Sequence, residues 1–325
     1  MDKQISLVVT HYTESWDICK PLLDSIAVQI DYDLQKLEVI WVNDSDEMMN
    51  LPKENYNFDI TEYAPGHKGV SGARNFGLSK AKGEYVMFCD CDDCFCSMFS
   101  LNVYDKAVRE NPLYDLVRGS FIEDQLIDNE WKLIRHDYDV VFIHGKLWKR
   151  DFLLENEIKF NEELTIHEDG YFNIIACALA SSSTRETQVA TYLWRTRADS
   201  VVRKDSKCFV YKTYNHLMKC RMAICKEFER RDMIQELHQS VTKTVLDSYY
   251  DFQTPEALDP ENAEIMRKAK RQFKKFYMEW KHIYLEMGIP EIASMMSLCR
   301  EGATNRGMRI EQQSLHEFIT EIVNL

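Results

Sequence analysis

The sequence predicts a doubly wound α/β domain followed by a helical region. Three observations carry that expectation. Short apolar runs rich in β-branched residues alternate with segments of helical period over roughly the first 95 residues. Polar clusters follow three of those runs at equivalent positions. From about residue 205 onward the strand-like runs stop and helical periodicity takes over.

Ile5–Thr10 (ISLVVT) reads as a buried parallel strand, apolar along its whole length. Ser15–Ile30 follows with Trp16, Ile18, Leu22, Leu23, Ile26 and Val28 near helical period. Leu37–Val42 (LEVIWV) is a second strand and ends at Asn43-Asp44, and Phe58–Ala64 is a weaker third. Gly69 and Gly83 bracket a helix over Val70–Ala81. Glu84–Cys89 (EYVMFC) is the fourth strand and runs into Asp90-Cys91-Asp92-Asp93. Further strands are expected at Tyr114–Ile122, Trp131–Arg135, Asp139–Ile143 and Val189–Trp194, with helices at Lys146–Asn156 and Gly170–Ala180. The helical region breaks near Thr254–Pro260 and Gly288–Pro290.

Ligands of such sheets bind beyond the carboxyl ends of the strands. Thr10-His11, Asn43-Asp44 and Asp90 to Asp93 all fall at such ends, so they predict one cleft. Three carboxylates within four residues repel one another unless a cation or an arginine holds them. Oxygen-only ligation favours Mn²⁺ or Mg²⁺; a solvated acidic turn or helix cap is the plainer reading. Cys89, Cys91, Cys94 and Cys96 have the look of a zinc site. Alternation along a strand scatters thiols to opposite faces, which favours small buried hydrophobes instead.

The 325 residues carry a net charge of −13. Residues 1–200 hold 20 Lys and Arg against 35 Asp and Glu, while 201–325 hold 20 against 18. That balance argues against a nucleic-acid partner, which calls for a basic face. No window approaches the roughly 18 apolar residues of a membrane span. The N-terminal MDKQISLVVTHYTESW turns acidic too early for a secretory signal, and ten Cys without one suit a reducing cytoplasmic setting.

Residues 69–93, GVSGARNFGLSKAKGEYVMFCDCDD, resemble the donor-binding segment of family 2 glycosyltransferases. The likeness runs through Ala73, Arg74, Asn75, Gly77, Leu78, Gly83, Glu84, Tyr85, Asp90, Asp92 and Asp93. Leu7–Thr10 with Tyr12, Val42–Ser45, His144–Trp148, Glu168–Phe172 and Tyr192–Arg195 with Ser200 resemble further family blocks in the same order. The chain departs from the pattern at Thr10, where the family usually has Pro, at Thr13-Glu14, and at Asn43, where a second Asp is common.

The resemblance, over roughly residues 4–203, implies a GT-A fold: a Rossmann-like, mostly parallel sheet flanked by helices. It places a catalytic domain over 1–204, with nucleotide-sugar binding to about 95 and an acceptor region from 96, ahead of the helical region 205–325. It implies an inverting, metal-dependent transfer of a hexose from a nucleoside-diphosphate sugar, most often a UDP-sugar, to a hydroxyl of a glycan or lipid-linked sugar in surface polysaccharide synthesis. Asp44 would meet the base, with Thr10 and His11 against base and ribose. Arg74 would sit near the diphosphate or pair with the acidic cluster. Asp90 would contact ribose or sugar, and Asp92 would ligate Mn²⁺ or Mg²⁺. Asp93 would cap the next helix or support the metal. Asp169 would act as general base, with Glu168 as its rival.

Around them, Trp148 and Trp194 would form a sugar platform or pack as core aromatics, and His167 would reach phosphate or serve as a polar structural residue. Arg195, Arg197 and Arg203 would close over the diphosphate or make a salt-bridged loop. Residues 264–281 combine basic and aromatic side chains, as a peripheral membrane helix or a packed helix would; the C-terminal helices are also the place for homo-oligomer contacts. Three other readings compete: a nucleotidyltransferase, a nucleotide- or glycan-binding protein without turnover, and a DNA-base glucosyltransferase.

Overall fold

The computed structural model describes residues 3–127, 130–196, 208–309 and 311–325. The chain divides into two compact units, Met1–Arg197 and Ala198–Leu325.

In the first unit the elements run β1 (Ile5–His11), α1 (Trp16–Ala27), β2 (Leu37–Asn43), β3 (Asp59–Tyr63), α2 (Gly69–Lys80), β4 (Tyr85–Asp90), β5 (Cys94–Phe95) and α3 (Ser100–Glu110). They continue as β6 (Leu116–Ile127), β7 (Glu130–His136), β8 (Lys146–Lys149), α4 (Arg150–Glu155), α5 (Glu168–Leu179) and β9 (Thr184–Trp194). The strands form one sheet in the order β3-β2-β1-β4-β8-β6-β9-β5, with β7 paired to β6. Its first four strands are parallel, and β8 joins β4 and β6 antiparallel.

Every residue of β1 and β2 is buried, as strands covered on both faces must be. One face packs Leu7, Val9 and Trp41 against α1 and α3 through Leu22, Leu23, Leu101 and Tyr104. The other packs Val8, Ile40 and Phe88 against α2, α4 and α5 through Ala73, Leu78, Phe152 and Phe172. The approach of α2 to the sheet depends on Gly77, where a Cβ would lie 2.3 Å from Cγ1 of Val8. The glycine of the Ala-Arg-Asn-x-Gly-Leu run is therefore a packing residue that lets the Arg74 turn come close to the strand ends.

Two expected elements differ. Asp139–Ile143 is no strand: Oδ1 of Asp139 accepts from the amides of Val141 and Phe142 and closes a local turn. Lys146–Lys149, expected as the start of a helix, is β8, and α4 begins only at Arg150. Strand partners on both sides override local propensity there. α3 and β5 are additional to the elements expected from the sequence.

In the second unit, α6 (Phe209–Lys212), α7 (Tyr214–Arg230), α8 (Ile234–Asp251), α9 (Pro255–Leu258), α10 (Ala263–Leu285), α11 (Ile289–Asn305) and α12 (Leu315–Asn324) surround an aromatic core. Phe252, Phe273 and Phe318 meet there, and Ser314 and Glu317 form a capping box at the start of α12. The aromatic face of α10 is spent inside this unit: Phe273, Phe276, Tyr277 and Trp280 are buried, so that face is not available to a membrane surface. Among the described residues no helix is long and apolar enough to cross a membrane.

Gly77→Ala should destabilise the fold by about 1–3 kcal/mol through overpacking against Val8. For a domain of this size that lowers Tm by roughly 2–4 °C per kcal/mol, read by thermal unfolding. An unchanged Tm would mean that α2 does not rest on β1 through this glycine.

Candidate active site

The parallel register brings the polar strand ends level. Thr10 stands opposite Val42 and Asp90, and His11 opposite Asn43. Each end is then held by a local network. His11 Nδ1 lies 2.8 Å from Oδ1 of Asn43, and its Nε2 lies 2.8 Å from the Glu14 carbonyl. Asn43 donates to Glu62 (3.0 Å) and to the Tyr63 carbonyl (3.1 Å). The departure at Thr13-Glu14 has a physical role: the Glu14 carboxylate accepts from the amides of Tyr12 and Thr13 and fastens the loop after β1.

Asp44 is buried. Its Oδ1 accepts from the Lys68 amide at 2.5 Å, and its Oδ2 faces Nδ1 of His67 at 2.9 Å. His67 is itself exposed and lies 5.1 Å, ring to ring, from the exposed Tyr12. Gly66 and Gly69, both at positive φ, bend the chain so that His67 and Lys68 return over Asp44. His67 is not among the site residues expected from the sequence. The signal that could have found it is the Gly-x-x-Gly run ahead of α2.

The centre of the site is Arg74, whose side chain is only 3% exposed. Nη2 donates to Oδ1 of Asp90 at 2.9 Å; Nη1 donates to Glu168 at 3.0 Å and to Asp169 at 2.5 Å. The guanidinium also lies 5.2 Å from the centre of the Phe160 ring. Thr10 donates to the same oxygen of Asp90 at 3.2 Å. Glu168 and Asp169 reach this point from the first turn of α5, after His167 turns the chain at φ +68.

One guanidinium thus faces three carboxylates, and they respond differently. Burial opposes the charge of Asp90, but Arg74, His144 and the Thr10 hydroxyl together outweigh it and hold that carboxyl below the usual carboxylate range. At Asp169 burial dominates, Glu168 and Asp90 add repulsion, and the carboxyl is pushed up to about 8 against the pull of Arg74.

Asp93 turns into the core. Its carboxylate accepts from the Tyr192 hydroxyl at 2.5 Å and from the Arg195 amide at 2.9 Å, and burial drives it well above the usual carboxylate range. The Arg195 side chain donates to the carbonyls of Asp92 (3.1 Å) and Ile18 (3.3 Å), so it braces the acidic loop from behind. Asp92 itself is half-buried. Trp148 is no sugar platform: it is fully buried against Phe152 and the edge of Phe172. Trp194 is half-buried beside Phe142 and His144. Arg197, Ser200 and Arg203 lie outside the described residues.

The thiols engage separate partners. Cys89 donates to Tyr192 (3.4 Å), Cys91 to Glu14 (3.5 Å) and Cys96 to the Ala190 carbonyl (3.0 Å). Among the described residues no three His, Cys, Asp or Glu side chains form a complete metal cage. Asp90 and Asp92 are two hard oxygen donors at one loop, and Thr10 and Arg74 both occupy Oδ1 of Asp90, not Oδ2. That donor set fits a Mg²⁺-like ion bound through one or two carboxylates and completed by substrate phosphate and water.

Known proteins resemble this chain in sequence and in fold. The poly(ribitol-phosphate) beta-glucosyltransferase of Bacillus spizizenii is 28% identical over 186 residues, covering 53% of this chain and 29% of that one. The chain spans about a third to about half the length of the curated relatives it matches. The S. aureus TarS 1–349 structure in complex with UDP-GlcNAc superposes with a TM-score of 0.61 at 18% identity, covering 92% of each chain. The mannosyltransferase PcManGT from Pyrobaculum calidifontis, in complex with GDP-Man and Mn²⁺, superposes at 0.51 and 16% identity over 99% of this chain and 88% of that one. These neighbours share the GT-A architecture. The Glycosyl transferase family 2 model matches residues 6–175, more than half of the chain, and with the strand-end site in place the chain belongs to the family 2 glycosyltransferases.

Proposed function

We propose that the protein transfers a hexose from a UDP-sugar to a hydroxyl of a glycan or lipid-linked acceptor, with inversion at the anomeric carbon and with the help of a divalent cation. The observation that carries this reading is the convergence of Asp90, Glu168 and Asp169 on Arg74 beside the buried Asp44, at the carboxyl ends of parallel strands. UDP-GlcNAc bound to TarS and the glucosyltransferase relative support the donor class.

Asp44 offers the acceptor oxygen that a uracil N–H needs, once the exposed His67 yields Oδ2. Tyr12 and His67 offer ring faces to the base. Asp90, fixed by Thr10 and Arg74, orients the ribose or the sugar. Asp92, with Asp90, would hold Mn²⁺ or Mg²⁺, which when bound supplies positive charge to the leaving diphosphate. Asp169 takes the proton of the acceptor hydroxyl as its oxygen bonds to the anomeric carbon and the bond from that carbon to the phosphate oxygen breaks. One displacement of this kind inverts the centre and leaves no sugar on the protein. Arg74 keeps Asp169 aimed and disperses the charge of the three carboxylates.

UDP with Mn²⁺ should raise Tm and lose that effect in EDTA, because a ligand of the native state stabilises by mass action. Asp92→Ala should abolish the Mn²⁺-dependent part, and unchanged stabilisation in that variant would remove Asp92 as ligand. Asp169→Asn should lower transfer about 10²–10⁴-fold while UDP affinity stays within twofold; near-normal turnover would exclude Asp169 as base. Only ionised Asp169 can accept a proton, and its carboxyl lies at about 8. Transfer, read as kcat/KM, should therefore fall about tenfold per pH unit below that value and level off above it. A flat profile between pH 6 and 9 would contradict this role.

A further inference from the structure

The chain from Asp90 to Asp93 is tied down through its backbone at every residue. The Asp90 amide donates to the Tyr192 hydroxyl (3.3 Å), the Cys91 amide to the Thr10 carbonyl (3.2 Å) and the Asp93 amide to the Asp90 carbonyl (3.2 Å). Asp92 is held by its carbonyl, which accepts from Nη1 of Arg195 at 3.1 Å. Directly after this loop, Cys94 and Phe95 pair with Leu193 and Tyr192, so β9 closes its far end.

Two side chains supply the long-range ties, Tyr192 near the end of β9 and Arg195 just beyond it. Tyr192 is fully buried and stacks on His144 at 4.7 Å, ring to ring, which fixes its hydroxyl. That hydroxyl donates to Asp93 at 2.5 Å while it accepts from Asp90. Arg195 spans from the Asp92 carbonyl to the Ile18 carbonyl of α1, and its amide donates to Asp93. None of these contacts uses the carboxylate of Asp90 or Asp92. A loop gripped in this way keeps the spacing of those two carboxylates constant. Constant spacing discriminates between ions: Mg²⁺ demands near-ideal octahedral geometry at about 2.0–2.1 Å, whereas Ca²⁺ accepts variable bonds of about 2.3–2.6 Å.

We propose that Tyr192 and Arg195 are positioning residues that hold Asp90 and Asp92 at the spacing of a small divalent cation, and so set the site's affinity for Mn²⁺ or Mg²⁺ and its preference for them over Ca²⁺. This rests on the proposed function for the role of Asp90 and Asp92 in holding the ion. The test is the UDP-induced rise in Tm of the full chain, titrated with Mn²⁺ and with Ca²⁺, in the wild type, Tyr192→Phe, Arg195→Met and the control Thr191→Val. Tyr192→Phe keeps the buried ring and Arg195 is only half-buried, so neither variant empties the core. The control loses the neighbouring buried hydroxyl, which bonds Tyr104 at 2.6 Å and takes no part in the loop's hydrogen bonds.

The Mn²⁺ concentration that gives half the effect should rise about 10–100-fold in Tyr192→Phe and in Arg195→Met, and the ratio of Ca²⁺ to Mn²⁺ half-saturation should fall about threefold or more. In Thr191→Val both should stay within about twofold, even where Tm falls as far. At saturating Mn²⁺ each variant should still respond to UDP, which shows that it is folded. Half-saturation and ion ratio unchanged in both loop variants, or moved equally by Thr191→Val, would reduce Tyr192 and Arg195 to packing and overturn the proposal. A wild type that responds to UDP without metal, or not at all, would overturn the proposed function itself, and this inference with it.

Discussion

A single buried cation holds the candidate active site together. Arg74 is taken out of water on α2, and a charge so placed is tolerated only when it is paired and hydrogen-bonded. Its partners come from two other elements, Asp90 at the end of β4 and Glu168 and Asp169 at the start of α5. The guanidinium therefore joins the end of β4 to the start of α5. Burial weighs on both Asp90 and Asp169, and Arg74 offsets it at the first but not at the second. Asp90 is held ionised, whereas Asp169 sits close to its titration point.

Around that ion cluster the fold braces each polar strand end from behind. Gly77 brings α2 close to β1, and Glu14 fastens the loop after β1. Asp93, Tyr192 and Arg195 anchor the acidic loop to the end of β9. The run Asp90-Cys91-Asp92-Asp93 thus divides its labour. Its first acid meets Arg74, its third residue is half-buried, and its fourth belongs to the core. Four adjacent residues cannot all face one ligand, because the backbone turns between them.

Much of this was legible in the sequence wherever local pattern and tertiary role coincide. The alternation of strand and helix through Asp90 is reproduced within a few residues, because continuous apolar strands and glycine-bounded helices report their own burial. Lys146–Lys149 was not legible: four residues with a lysine at each end carry no strand signal, and only pairing with β4 and β6 makes them one. Asp139–Ile143 misled in the opposite sense, since its apolar run is bent by the Asp139 side chain. At the site, the pairing of Arg74 with the acidic cluster was among the expectations, and Asp90 makes it, but the pairing with Glu168 and Asp169 was not. Arg74 meets Asp169 across 95 positions of sequence, and neither residue's surroundings announce the other. Trp148 shows the same limit, for an aromatic residue in a motif has the same letter whether it stacks on a ligand or fills the core.

The distance in sequence between Arg74 and its partners also has a consequence in time. Glu168 and Asp169 lie 94 and 95 residues downstream. At about 5–20 residues per second of synthesis, the arginine leaves the ribosome roughly 5–20 s before these two acids. During that interval only Asp90, 16 residues downstream, is at hand to pair with it. The cluster of one guanidinium and three carboxylates is therefore complete only once α5 has emerged.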